Sequence, residues 1–151
     1  MTESVWDYPR PPRIARETRA LRVLHSGIVI AETTRALAVK ETSGAPVYYV
    51  PPADVAEDRL TPSATRTFCE WKGEAHYFDV AGSKDAAWCY PVPVTDFAAI
   101  AGWYAFFAGR LDECWLGTER VKPQPGDFYG GWITSDVTGP FKGDPSLSIK
   151  P

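Results

Sequence analysis

The stretch Ala20-Leu21-Arg22-Val23-Leu24-His25-Ser26-Gly27-Ile28-Val29-Ile30-Ala31-Glu32 decides the fold class. Two short aliphatic runs, alternating with polar positions, flank a Ser-Gly pair, and such a pair signals a tight turn between antiparallel strands. The reading is a β-hairpin with one solvated face. Outward from it, residues 36–41 and, after Ser43-Gly44-Ala45-Pro46, residues 47–50 extend the hairpin into a four-stranded meander. Pro51-Pro52 stops the last strand, and residues 54–60 leave room for one helical turn before Thr61-Pro62.

Farther along, residues 66–70 and 74–80 form a second hairpin around Trp71-Lys72-Gly73. Strands are also expected at residues 86–90, 103–107, 114–117 and 119–122. One helix is expected from Thr95, a good N-cap, with Asp96 in its first turn and Gly102 as its stop. The fold class is therefore mainly β: a β-rich α+β domain of compact twisted antiparallel sheets with one or two short helices.

Composition agrees. Of 151 residues, 44% are hydrophobic and 23% charged, as in a globular domain with a core of its own. The net charge of -3 argues against nucleic acid as partner. Arg10, Arg13, Arg16, Arg19 and Arg22 read as a solvated extended stretch beside Pro9, Pro11 and Pro12. No apolar run is long enough to span a bilayer, so no membrane partner is expected. The first residues lack the apolar centre of a signal peptide. Cys69, Cys89 and Cys114 are odd in number and widely spaced, unlike a disulfide framework. These features place the protein in the cytoplasm.

Three regions follow: an extended N-terminal arm at 1–19, a single β-rich domain at 20–122, and an irregular Gly/Pro/aromatic tail at 123–151. The tail holds Phe128, Tyr129, Trp132, Ile133 and Phe141 among its glycines and prolines. Disordered segments are poor in such residues. It is expected to pack on the domain or on a partner subunit, with Trp6 and Tyr8 as neighbours.

Chemistry concentrates at Thr67-Phe68-Cys69-Glu70-Trp71-Lys72-Gly73. Strand alternation puts Thr67 and Cys69 on one face, and Ala75 and Tyr77 on one face of the next strand. The hairpin then gathers Cys69, Lys72 and Tyr77, while His76 points away. A cation beside a thiol favours the nucleophilic thiolate. Cys69 is thus a candidate nucleophile, Lys72 its electrostatic partner and Glu41 or His76 a candidate base. Cysteine is also commonly buried as a small hydrophobe, and both readings stand on the sequence. With 6 Trp, 7 Tyr and 7 Phe, an aromatic-walled pocket is expected, and Tyr49, Trp88, Tyr90 and Thr67 are its candidate ligand-binding residues. A metal site is not expected, since no C-x₂-C pair occurs. Gly130-Gly131 lacks the Lys-Ser or Lys-Thr of a phosphate loop.

Several of these pieces, in order, resemble the domain of unknown function family numbered 427, sometimes labelled nucleotidyltransferase-like. They are Glu3-Ser4-Val5-Trp6-Asp7-Tyr8-Pro9-Arg10-Pro11-Pro12, then Glu41-Thr42-Ser43-Gly44 with Pro46, Tyr48-Tyr49 and Pro51. The most specific piece is TRTFCEWKGEAHYFDV, with Thr67, Cys69, Lys72, Gly73, Ala75 and Tyr77. Ala86-Ala87-Trp88, Tyr90-Pro91 and the region of Tyr104 and Phe106 follow, so the resemblance spans nearly the whole chain. It implies two small twisted sheets of the β-tent or Mss4-like kind. The family more often has Pro and an aromatic residue after the cysteine, where this chain has Glu70-Trp71. The paired carboxylates of a metal-dependent nucleotidyltransferase have no D-x-D counterpart.

Two functional readings stay open. One is a small-molecule site of enzymatic kind around Cys69, Lys72 and Tyr77, with Glu41 and Tyr49. The other is a noncatalytic ligand- or protein-binding module of β-tent type. A homodimer is compatible with both, and no cofactor is named by the residues.

Overall fold

The computed structural model describes residues 2–126 and 128–144. In chain order its strands are β1 (Glu3–Ser4), β2 (Arg13–Arg16), β3 (Leu21–His25), β4 (Ile28–Thr33), β5 (Leu37–Lys40), β6 (Val47–Tyr49), β7 (Leu60–Cys69) and β8 (Gly73–Val80). They continue with β9 (Ser83–Cys89), β10 (Tyr104–Phe106), β11 (Glu113–Leu116), β12 (Glu119–Arg120), β13 (Lys122–Pro123), β14 (Trp132–Ile133) and β15 (Val137–Thr138). The expected mainly β class is what forms.

The opening hairpin closes at Ser26 and Gly27, whose φ values of 52° and 74° are those of a type I′ turn. β3 and β4 pair antiparallel from Leu21↔Thr33 to His25↔Ile28. The expected four-stranded meander does not follow. β5 leaves β4 and pairs instead with β2 and β6, while β11 takes the free edge of β3. The outer edge of β4 is already occupied, by an Ala31↔Val55 bridge and a 2.8 Å bond from the Ala56 N–H to the Ile30 carbonyl. Thr33 redirects the chain. Its buried hydroxyl donates to Asp54 (2.6 Å) and accepts the Arg35 N–H (2.9 Å).

A second sheet has the order β10-β9-β8-β7. Two backbone bonds between Val50 and Tyr104, 2.8 and 3.0 Å long, join it to the β2-β5-β6 sheet. β7 is its edge, which is why Pro62 is tolerated there, at a register shift before Arg66.

The helix expected from Thr95 is a 3₁₀ segment, Thr95–Ile100, broken at Phe97 (φ -114°, ψ 20°). Val94, not Thr95, flanks it, and no side chain caps it. A three-residue period aligns Phe97 and Ile100, both buried, on one face.

Two cores result. Leu21, Val23, Ile30, Val50, Phe106 and Leu116 fill the first, with Trp132 from beyond the last long strand. The Trp132 indole N–H donates to the Phe106 carbonyl at 2.8 Å, so the polar end of this ring is satisfied inside the core. Aromatic residues dominate the second, which includes Tyr49, Tyr77, Trp88, Tyr90 and Phe107. The chain ends meet: β1 pairs parallel with β15, Val5 and Tyr8 pack on Val137, and Trp6 donates to the Pro140 carbonyl (2.6 Å). Among the described residues, no helix is long and apolar enough to cross a membrane.

Candidate functional site

The site is built on the turn between β7 and β8. Cys69 pairs with Gly73, and the Lys72 N–H bonds the Cys69 carbonyl (3.3 Å). Val94 clamps the turn from outside by donating its N–H to the Lys72 carbonyl at 2.9 Å. Gly73 has φ 116°, a conformation that side chains with a Cβ rarely adopt, and this accounts for the glycine after Lys72. Burial along β7 alternates. Arg66, Phe68 and Glu70 are exposed, whereas Thr67 and Cys69 turn inward.

On β8, Ala75 and Tyr77 are buried, and Tyr77 pairs across to Trp88 on β9. His76 is directed elsewhere and contacts Glu74 at 3.0 Å. The inward faces of β5 and β6 and the following turn add Val39, Tyr49 and Glu41. Together they enclose a cavity of about 250 Å³, and Glu41, Tyr49, Thr67, Cys69, Lys72, Tyr77, Trp88 and Tyr90 all line it. The eight residues singled out from the sequence therefore share one space.

The walls are mostly aromatic. Trp88 meets Tyr49 edge-on (6.4 Å), stacks beside Tyr77 (6.4 Å) and tilts over Phe107 (4.5 Å). Polar groups are few. The Thr67 and Tyr77 hydroxyls are 3.0 Å apart and bonded to each other. Burial raises the Tyr49 and Tyr90 phenols well above their ordinary range, so both stay neutral O–H groups. Lys72 is only 7% exposed, and its Nζ lies 5.7 Å from the Tyr90 ring centre and 5.8 Å from that of Phe97. No carboxylate among the described residues pairs with it.

One wall was not foreseen. Gln124, Tyr129, Gly130, Gly131 and Lys142 also line the cavity. Gln124, buried, accepts the Ala45 N–H (2.9 Å) and donates to the Lys142 carbonyl (2.9 Å), tying three segments together. Gly130 lies against the Trp88 ring with no room for a side chain. The clue was the density of aromatics among glycines in this segment, which spoke for packing but not for where. Phe68 and Phe128, 77% and 64% exposed, sit at the cavity's rim.

The three cysteines are free and differ in setting. Cys69 is half-buried in the cavity wall, while Cys89 and Cys114 are buried. Burial raises the Cys89 thiol and pushes that of Cys114 up to about 12. Among the described residues, no group of three or more His, Cys, Asp or Glu comes together as a metal site would require.

A family model described as "Domain of unknown function (DUF427)" matches residues 13–117, well over half of the chain. The chain belongs to this family. No curated protein matches it. The DUF427 span contains all eight residues named above, from Glu41 to Tyr90. It stops short of Gln124, Tyr129, Gly130 and Gly131, so one wall of the cavity lies outside the part that the family model describes.

Proposed function

We propose that the protein binds a small molecule in the cavity under the β7–β8 turn. The observation that carries this reading is the convergence of aromatic walls and a few polar side chains on one concave space, the usual make-up of a ligand site. At about 250 Å³ it lies just below the roughly 300–1,000 Å³ of drug-sized sites, and so suits a small metabolite. A library of ring-containing fragments, screened by saturation-transfer NMR against the wild type and Val47→Phe, tests it. Val47 is a half-buried wall position where a ring would fill the space. The expected result is a set of hits lost in Val47→Phe, with the variant still melting cooperatively. Hits that bind both proteins equally would place binding elsewhere.

The setting of Cys69 favours a second reading, in which the site is catalytic. It is the cysteine that faces the cavity, and it is the last residue of β7, in the turn that carries Lys72. A nucleophilic Cys69 is expected to react with iodoacetamide at least tenfold faster than Cys89 and Cys114 in the folded protein, and fragments bound in the cavity would protect it. Equal rates for the three thiols would leave the noncatalytic binding module as the reading.

A further inference from the structure

The geometry points to an anionic ligand: a carboxylate or phosphate group on a small flat apolar body, anchored by the Lys72 ammonium. This rests on the cavity being a ligand site and names the class of molecule that it takes.

Of the other partly buried cations, Lys142 also lines the cavity and, among the described residues, has the Tyr129 ring, 5.4 Å away, rather than a carboxylate beside it, whereas Arg19 and Lys40 are ion-paired. Arg19 holds Glu17 at 2.7 Å and Asp136 at 3.3 Å, and Lys40 holds Glu3 at 3.2 Å. The Lys40 side chain is 18% exposed and that of Arg19 34%. Lys72 is a buried residue, where Lys40 and Arg19 are each only half-buried, yet it has no carboxylate within ion-pair distance among the described residues. A charge removed from water needs an opposite charge or strong hydrogen bonds in exchange. Two aromatic faces at nearly 6 Å supply only part of that. Lys72 lines the cavity, as does Tyr90 beside its ammonium, so the partner we assign to it is one that enters the cavity.

The rest of the space fits the same molecule. The Tyr49 and Tyr90 hydroxyls, and whichever O–H of the Thr67–Tyr77 pair is not spent within that pair, are the hydrogen-bond donors around it. Trp88 and Tyr77 offer nearly parallel ring faces, 28° apart, beside which a flat body can lie. Glu41 and Glu70 also border the cavity and disfavour a second anionic group, which argues for a single head group. Carboxylate and phosphate share the chemistry that an ammonium recognises, and only binding data separate them.

The test uses matched probes in calorimetric titrations at low salt: benzoate against benzamide, indole-3-carboxylate against indole-3-carboxamide, and phenyl phosphate. Wild type is expected to bind each acid at least tenfold tighter than its amide. That preference should fall below threefold in Lys72→Met and persist in part in Lys72→Arg. Whether benzoate or phenyl phosphate binds tighter then names the head group. Amides that bind as well as acids, or a Lys72→Met variant that keeps the full preference, would overturn the anion assignment and leave the cavity reading intact. Failure of every probe on wild type, together with fragment hits indifferent to Val47→Phe, would overturn both. Should Lys72→Met fail to fold, the acid-to-amide ratio of wild type decides alone.

Discussion

Gly130→Ala places a methyl group where the Trp88 ring already sits. A Cβ at this position would overlap Cη2 of the indole and lie 2.9 Å from Cζ3 and 3.0 Å from Cζ2. Carbon atoms pack at about 3.5 Å or more, so ring and backbone must part by roughly an ångström. Trp88 has nowhere to go, because Tyr49, Tyr77 and Phe107 surround it and it is 6% exposed. The segment around Gly130 must lift instead, with Gln124 and its two hydrogen bonds close by. Overpacking of this kind costs about 1–3 kcal/mol. In a domain of this length each kcal/mol moves Tm by roughly 2–4 °C, so a fall of about 2–12 °C is expected. Differential scanning calorimetry reads that fall, and the Trp88 indole resonance should shift with it. Gly109→Ala serves as control: Gly109 is exposed, its nearest neighbour would be Pro123 Cβ at 3.4 Å, and its Tm should stay within about 2 °C. A Gly130→Ala protein with unchanged Tm and an unmoved Trp88 resonance would refute the claim that this segment walls the cavity.

Gln124→Leu removes the acceptor of the buried Ala45 N–H and the donor to the Lys142 carbonyl, and should cost about 1–3 kcal/mol in urea denaturation; a cost below 0.5 kcal/mol (about the noise of such a measurement) would show that the bridge is dispensable. Alkaline pH should destabilise the fold. Burial holds Cys114 protonated to about 12 against an ordinary 9.0, and raises Tyr48, Tyr49 and Tyr90 as well. The unfolded chain then loses these protons first, so stability is complete below about pH 9 and declines as pH rises toward 12, by at most about 4 kcal/mol from Cys114 alone. Urea midpoints from pH 7 to 11 check the slope, and Cys114→Ala should flatten it; a flat profile in wild type would contradict the burial assigned to these groups.

The parts of the fold that were legible from sequence are the local ones. Ser26-Gly27 between alternating runs, and Trp71-Lys72-Gly73 after a strand, each announce a turn within a few residues, and both turns form. Strand alternation also turned Thr67, Cys69 and Tyr77 inward and His76 outward, and hence brought most of the candidate residues to one cavity. What was not legible depends on contacts distant in sequence. The departure of β5 from its neighbour follows from Thr33 meeting Asp54 and from Val55 covering β4, and neither partner is marked by a local pattern. The replacement of the expected helix by a 3₁₀ segment follows from what Phe97 and Ile100 must bury. The wall residues Gln124, Tyr129, Gly130 and Gly131 escaped notice because the strands on either side of them, β13 and β14, are two residues long and have no periodicity to read. Gly130 and Gly131 looked like punctuation, yet they are glycines because Trp88 and Ala45 approach their backbone.

The most direct test of the cavity as a ligand site is a ¹H–¹⁵N correlation spectrum recorded during titration with indole-3-carboxylate. The account predicts saturable shifts concentrated on the Trp88 indole and the amides of Tyr49, Cys69, Lys72, Gly130 and Gly131. Shifts confined to another face of the protein, or none at millimolar probe, would contradict it.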